Sequence, residues 1–195
     1  MSAIHSDALV FFGATGDLAY KKIFPSLQSM VKRGHLHVPI IGVAKAGWNL
    51  EQLKARAKDS LEKHGGLDPA AWEKLSGLLH YVDGDYNSDA TFQNLRKELG
   101  NAQHPAHYLA IPPMLFGEVV EQLVKSGCAE GSRVIVENIR VNDEVWLQQH
   151  IAVNIDVRVA LLKNFNLEID VSDRDYKKFR SDTKIIPLGE ARSEH

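Results

Sequence analysis

One cysteine in 195 residues, Cys128, leaves no partner for an internal disulfide, so the fold rests on a buried core and fits a reducing, cytoplasmic setting. No apolar run approaches the ~18 residues that a membrane-crossing helix needs. Met1–Asp7 has neither the basic nor the apolar region of a secretory signal, so no membrane association is expected. Neither sign of charge dominates. With 23 Lys and Arg against 25 Asp and Glu the formal charge is −2, which offers nucleic acid no electrostatic invitation. Internal repeats and low-complexity linkers are also missing. Cys128 lies at a helix-to-strand turn, where a lone cysteine is ordinarily structural.

What is present is ordinary globular composition, 44% hydrophobic and 25% charged, enough for one substantial core. The chain is organised around Ala8-Leu-Val-Phe-Phe-Gly13-Ala14-Thr15-Gly16-Asp17-Leu18-Ala19, an apolar run that ends in closely spaced glycines and then turns polar and helical. This reads as strand, phosphate loop and helix. Gly13 permits the tight turn, Gly16 lets the backbone approach an anion, and Ala19 lets the helix pack on the strand it has just left. Free N–H groups and the positive end of the helix dipole then favour a phosphate or pyrophosphate over the loop. Asp17, at the start of that helix, is expected to cap it.

Val38–Val43 reads as a buried second strand, and the unit closes as a βαβ. Asn49 and Asp68-Pro69 start two helices, with Gly65-Gly66 between them. Further short apolar runs follow at His80–Val82, His107–Ile111 and Arg133–Glu137. They alternate with helical patterns carrying Phe92, Leu95 and Leu99, then Val119, Val120 and Leu123. The fold class predicted is α/β, a Rossmann-like doubly wound parallel sheet with helices on both faces. That domain spans residues 1–137. A divergent segment, 138–195, is expected to hold a short helix around Asp143–Gln149 and an antiparallel hairpin appendage. In that hairpin Ile151–Leu161 and Phe165–Val171 alternate about a Lys163-Asn164 turn, ahead of a solvated Asp173–Arg180 stretch and a frayed tail. Exposed strand edges there offer a route to homo-oligomers.

The motif series resembles the N-terminal domain of glucose-6-phosphate dehydrogenases. The resemblance is carried by Phe12-Gly-Ala-Thr-Gly-Asp-Leu-Ala-Tyr20-Lys-Lys-Ile-Phe-Pro25, Ile41-Gly-Val-Ala-Lys45, Gly84-Asp-Tyr86, Tyr108-Leu-Ala-Ile-Pro-Pro113 and Arg133-Val-Ile-Val-Glu137, in order. It implies NADP as cofactor and glucose 6-phosphate as small-molecule substrate, in a hydride transfer from C1 at the entry to the pentose phosphate pathway. It also implies that Gly13, Ala14, Thr15, Gly16, Asp17, Leu18, Ala19 and Tyr20 line the pyrophosphate and adenosine. Lys45 would meet the ribose 2′-phosphate, Asp85 and Tyr86 would lie on the adenine side, and Tyr108 beside the nicotinamide. The residues agree independently, because an NAD site wants a carboxylate near the end of the second strand and Val43-Ala-Lys-Ala-Gly47 offers a cation. Lysine lacks arginine's planar fork, so weaker discrimination is expected, and a solvated loop cation is the competing reading of Lys45.

The resemblance also has gaps. Where the family carries Lys-Pro-Phe-Gly after the fifth strand, this chain has Asn138-Ile-Arg-Val141, with Arg140 as a substitute cation at most. The family's Arg-Ile-Asp-His-Tyr-Leu-Gly-Lys segment and its general-base histidine are not found, so no catalytic residue is assigned. A positioned base contributes about 10²–10⁴ in rate, so coenzyme binding is expected to survive better than turnover. The alternative is a catalytically inactive NADP-binding module or a truncated, rearranged remnant. A reductase of another kind lacks a Tyr-x-x-x-Lys pair. His35/His37 and His104/His107 have chelating spacing without an acidic or cysteine partner, and no metal is expected.

Overall fold

The structure, a computed structural model, describes residues 5–142, 145–155 and 167–171. Five short apolar runs become parallel strands: β1 (Ala8–Phe12), β2 (Ile40–Ala44), β3 (Leu79–Asp83), β4 (Pro105–Leu109) and the first part of β5 (Arg133–Asn142). Their order, β3-β2-β1-β4-β5, reverses direction between β1 and β4. In open α/β sheets ligands bind at the carboxyl ends of strands beside such a switch point. The Gly13–Gly16 stretch leaves β1 there.

Because strand side chains alternate, the sheet supplies two cores. Leu9 and Phe11 of β1 and Ile40 of β2 face α1 (Phe24–Lys32), α2 (Leu50–His64) and α3 (Pro69–Leu78), where Phe24, Leu27, Leu53, Leu61 and Leu75 close over them. Val10, Phe12, Ile41 and Val43 face α4 (Asp89–Leu99) and α5 (Phe116–Lys125), against Phe92, Leu95, Val119 and Leu123. Phe11 and Phe12 are both fully buried, each stabilising the fold by about 1.5–3 kcal/mol. Phe12 stacks on Phe92, with ring centroids 6.1 Å apart.

Helix starts follow their local signals. Asn49 and Gln52 form a reciprocal capping box at α2, and the Asp68 carboxylate accepts from the Ala71 N–H at α3, where Pro69 occupies the first turn. The first helix departs from expectation. It widens into a π-type turn over Ala19–Ile23, in which the Phe24 N–H donates to the Ala19 carbonyl. Pro25 has no N–H for the ordinary ladder, and the wider turn absorbs that loss.

Beyond the expected boundary between residues 137 and 138 the sheet continues. β5 runs on to Asn142 and pairs antiparallel with β6 (Val145–Ile155), which pairs antiparallel with β7 (Leu167–Val171). The short helix expected around residues 143–149 is therefore corrected: Val145–Gln149 is strand. Val145 and Leu147 share the parity of Ile151, Val153 and Ile155, so the period-two pattern already runs through residues 145–149, and cross-strand pairing overrides local helix preference. The Lys163-Asn164 turn, residues 173–180 and the tail lie outside the described residues.

Candidate functional site

The loop after β1 is built by sterics. Gly13 has φ +83°, and a Cβ there would stand 2.2 Å from the Ala110 carbonyl oxygen just past β4, so only glycine fits. Beneath the loop Gly42 of β2 makes room for Ala14, since a Cβ on Gly42 would lie 2.8 Å from that of Ala14. The Gly13 N–H donates to the Val43 carbonyl (2.9 Å) and to the Tyr86 hydroxyl (2.9 Å), and the Gly16 N–H donates to the Gly13 carbonyl (2.9 Å). The Ala14 N–H also reaches the Val43 carbonyl, at 3.2 Å. These amides fix the loop, so its anion-facing donors are shifted along the chain from where the glycine pattern placed them. The first helical hydrogen bond runs from the Tyr20 N–H to the Gly16 carbonyl, at 3.1 Å. The N–H groups of Asp17 and Leu18 precede it on the accessible side, and among the described residues they have no backbone acceptor, at the positive end of the helix dipole.

Asp17 does not cap this helix as expected. Its carboxylate pairs with Lys21 at 3.0 Å, and that bond holds its pKa below the ordinary value. One turn on, the lysine is simply a better partner than a backbone N–H.

The loop after β2 is built by charge. A single carboxylate oxygen of Asp83, at the end of β3, accepts from the N–H groups of Ala46 (3.0 Å), Gly47 (2.9 Å) and Trp48 (3.3 Å), and from the Tyr81 hydroxyl (2.8 Å). Burial works against the Asp83 charge, yet the Ala46 N–H, the Tyr81 hydroxyl and the other two amides outweigh it and keep the carboxyl acidic. Burial and the bond to Asp83 together push the Tyr81 hydroxyl upward. Held this way, the loop presents Lys45 outward. Its ammonium lies 2.5 Å from the Asp85 carboxylate, which lowers the Asp85 pKa and raises that of Lys45.

Tyr86 joins the two loops. Its hydroxyl takes the Gly13 N–H and donates to the Val43 carbonyl at 3.2 Å, while its ring packs edge-on to Phe12 at 5.7 Å. Burial raises its pKa, against the Gly13 N–H bond. Gly84 precedes this pair because a Cβ there would meet the Thr91 hydroxyl at 2.1 Å.

The structure thus gathers Gly13, Ala14, Thr15, Gly16, Asp17, Leu18, Lys45, Asp85 and Tyr86 around one end of the sheet. Ala19 is buried beneath the helix, as its small size requires. Tyr20 turns to α2, where its hydroxyl donates to the Asp59 carboxylate, its ring lies under the Arg56 guanidinium (4.5 Å), and its backbone carbonyl accepts from the Ser60 hydroxyl. Tyr108 lies inside β4, opposite Phe11, packed against the α1–α3 core. Of the histidines with chelating spacing, His107 donates from its ring to the Cys128 carbonyl at 2.9 Å, and His104 reaches the Gly131 carbonyl at 3.2 Å. Cys128 itself is buried, and burial raises its thiol pKa. Sequence reasoning missed Asp83, Gly42 and Arg56. Only Asp83 carried a signal, an acid at the end of a strand beside a loop of small residues.

Comparison with known proteins agrees with this geometry. Residues 10–140 match the family described as glucose-6-phosphate dehydrogenase, NAD binding domain. The glucose-6-phosphate 1-dehydrogenase 1 of Mycobacterium tuberculosis is 34% identical over 165 residues, covering 85% of this chain and 35% of that protein. The Saccharomyces cerevisiae glucose-6-phosphate 1-dehydrogenase is 36% identical over 140 residues, 65% of this chain and 28% of that one. Among solved structures, the Mycobacterium avium enzyme superposes with a TM-score of 0.66 at 39% identity, over 69% of this chain and 30% of its own. The chain spans about a third of the length of the curated relatives it matches. The glycine-bordered bend, its sheet and these matches place the chain in the glucose-6-phosphate dehydrogenase family, of which it carries the dinucleotide-binding domain.

Proposed function

We propose that the chain binds NADP at the carboxyl ends of β1 and β2, as the coenzyme half of an oxidoreductase acting on glucose 6-phosphate. The observation that carries this reading is the pairing of two features at one end of the sheet. Orphan N–H groups at Asp17 and Leu18 suit a pyrophosphate, and the one exposed cation on the β2 loop, Lys45, suits a 2′-phosphate. The residues fit such a ligand. Asp83, the acid at the end of β3 beside Ala44 of β2, spends one carboxylate oxygen on the loop amides that present Lys45. Lys45 supplies charge, the Gly13–Gly16 backbone supplies shape, and Tyr86 holds the two in register. Bound NADP would supply the nicotinamide ring that accepts a hydride from C1 of the sugar. A solved relative, 29% identical with a TM-score of 0.59, is described in complex with its substrate glucose-6-phosphate, which supports that sugar as the substrate class.

A second reading, a coenzyme-binding module without turnover of its own, is favoured by Asn138-Ile-Arg at the place where the family carries Lys-Pro-Phe-Gly. Titration of NADP⁺ followed by glucose 6-phosphate, with absorbance read for nicotinamide reduction, separates the two. Binding with reduction supports the enzyme, binding alone supports the module, and no binding of NADP⁺ overturns both. Lys45→Ala should weaken NADP⁺ about tenfold while leaving NAD⁺ nearly unchanged. Equal weakening would remove Lys45 from the 2′-phosphate site.

A further inference from the structure

If Lys45 reads the 2′-phosphate, the structure shows it already holding an anion. The Asp85 carboxylate stands 2.5 Å from its ammonium, on a different loop. That carboxylate is anchored, because its other oxygen accepts the Asn87 N–H at 3.2 Å and the loop beneath it is tightened at Gly84 against Thr91. The backbone that carries Lys45 is anchored too, since Asp83 grips the amides of the next three residues. Asp85 is thus set beside the ammonium by its own loop, while the exposed Lys45 side chain reaches it from a fixed backbone.

We infer that Asp85 is a selectivity-setting residue: it competes with the 2′-phosphate for Lys45 and so holds down the preference for NADP⁺ over NAD⁺. The inference rests on the coenzyme reading above and goes beyond it by naming the group that opposes it. A dianionic phosphate arriving at Lys45 meets a fixed negative charge at hydrogen-bond distance from the same ammonium. It gains the cation only by displacing or sharing it, and like charges brought this close repel, to an extent that solvent at this exposed pair screens. For NAD⁺, with a neutral ribose 2′-hydroxyl at that position, the pair stays intact and the carboxylate is an acceptor that a hydroxyl can use. One lysine and one aspartate thus suit both coenzymes moderately in place of one coenzyme strongly.

The test compares the protein with its Asp85→Asn variant, which keeps the shape and the oxygen that accepts the Asn87 N–H. Dissociation constants for NADP⁺ and NAD⁺ are measured by calorimetry at fixed salt. The same pair is measured in the Lys45→Gln background. The expected result is a rise of about fivefold in the NADP⁺ over NAD⁺ affinity ratio on Asp85→Asn, and little or no rise once Lys45 is gone. An unchanged ratio in a protein that binds NADP⁺ normally overturns the inference and leaves the coenzyme reading standing. A rise of the same size without Lys45 also overturns it, because the effect would then be general charge and not competition for that ammonium. Failure of the unsubstituted protein to bind either coenzyme overturns the coenzyme reading, and the inference with it.

Discussion

The loops after β1 and β2 stand side by side over the same sheet and are held by opposite means. The first is shaped by a backbone contact that tolerates no side chain at Gly13, and its amides are spent on neighbouring carbonyls and one tyrosine hydroxyl. The second has open space around Gly47 and is gathered by the single charged oxygen of Asp83. A loop held by shape is indifferent to salt, whereas one held by charge also decides how much charge it shows a ligand. The first therefore suits the pyrophosphate common to all dinucleotides, and the second suits the choice among them.

The sharpest break of that contrast is Gly13→Ala. The new methyl would collide with the Ala110 carbonyl, at a residue whose φ of +83° already disfavours a side chain. Strain plus displacement of β4 from β1 should cost about 3 kcal/mol or more of stability and abolish coenzyme binding, read by urea denaturation and titration. The matching change in the second loop, Gly47→Ala, meets no atom but still carries φ +67°, so it should cost only about 1 kcal/mol. Equal losses would mean that shape governs both loops.

Mild acid attacks the support under the first loop. His107 lies in β4 next to Phe12, fully buried, with one ring nitrogen on the Cys128 carbonyl and the other without a partner among the described residues. Burial lowers its pKa from the ordinary 6.5 to about 4, so between those values the unfolded chain binds the proton and the folded one does not. Stability is therefore fully present above the upper value and falls as pH drops from about 6.5 toward 4, by up to about 3 kcal/mol. Asp83 and Asp85, both lowered below 3.8, stay ionised through that window, so the second loop keeps its grip. Urea midpoints across the window should slope for the native protein and flatten for His107→Gln, which retains a donor toward Cys128.

Much of the first loop was legible in the sequence because its causes are local. An apolar run, a glycine, a small residue and a helix start lie within a dozen positions, and each has one conformational use. The two cores were legible for the same reason, as alternation in strands and spacing in helices. Other features were hidden because their causes are distant in sequence. The Tyr86 hydroxyl reaches Gly13 across 73 residues, and Asp83 reaches Trp48 across 35. Gly84 and Gly42 matter for neighbours that only the folded sheet supplies. Asp17 looked like a cap because pattern cannot show that Lys21 outbids a backbone amide. Val145–Gln149 looked helical because the strand it pairs with, β5, runs past the end of its own apolar stretch.

Asp83→Asn tests the charge-held loop directly. The amide oxygen can still accept one or two N–H groups, so the loop should loosen without collapsing, at a cost of about 1 kcal/mol. Its signature is in binding more than in stability. With Lys45 no longer presented from a fixed loop, NADP⁺ should weaken about threefold to tenfold and NAD⁺ much less. If both coenzymes weakened alike, Asp83 would be supporting the whole end of the sheet and not the β2 loop alone.

The smallest effect is expected where the two loops meet. Tyr86→Phe keeps the ring on Phe12 and removes only the hydroxyl between Gly13 and Val43. Because the Gly13 N–H retains its 2.9 Å bond to the Val43 carbonyl, no donor is orphaned and the loss should be about 1 kcal/mol or less. Exchange of the Gly13 amide hydrogen with solvent, followed by NMR, should quicken while stability barely moves, since the loop keeps its shape and loses its brace. NADP⁺ and NAD⁺ should then weaken together, by about twofold to threefold, because the brace serves the part of the site that both coenzymes share. A selective loss of NADP⁺ would instead place Tyr86 with Lys45 and Asp85, and would mean that the division between a shape-held and a charge-held loop is drawn in the wrong place.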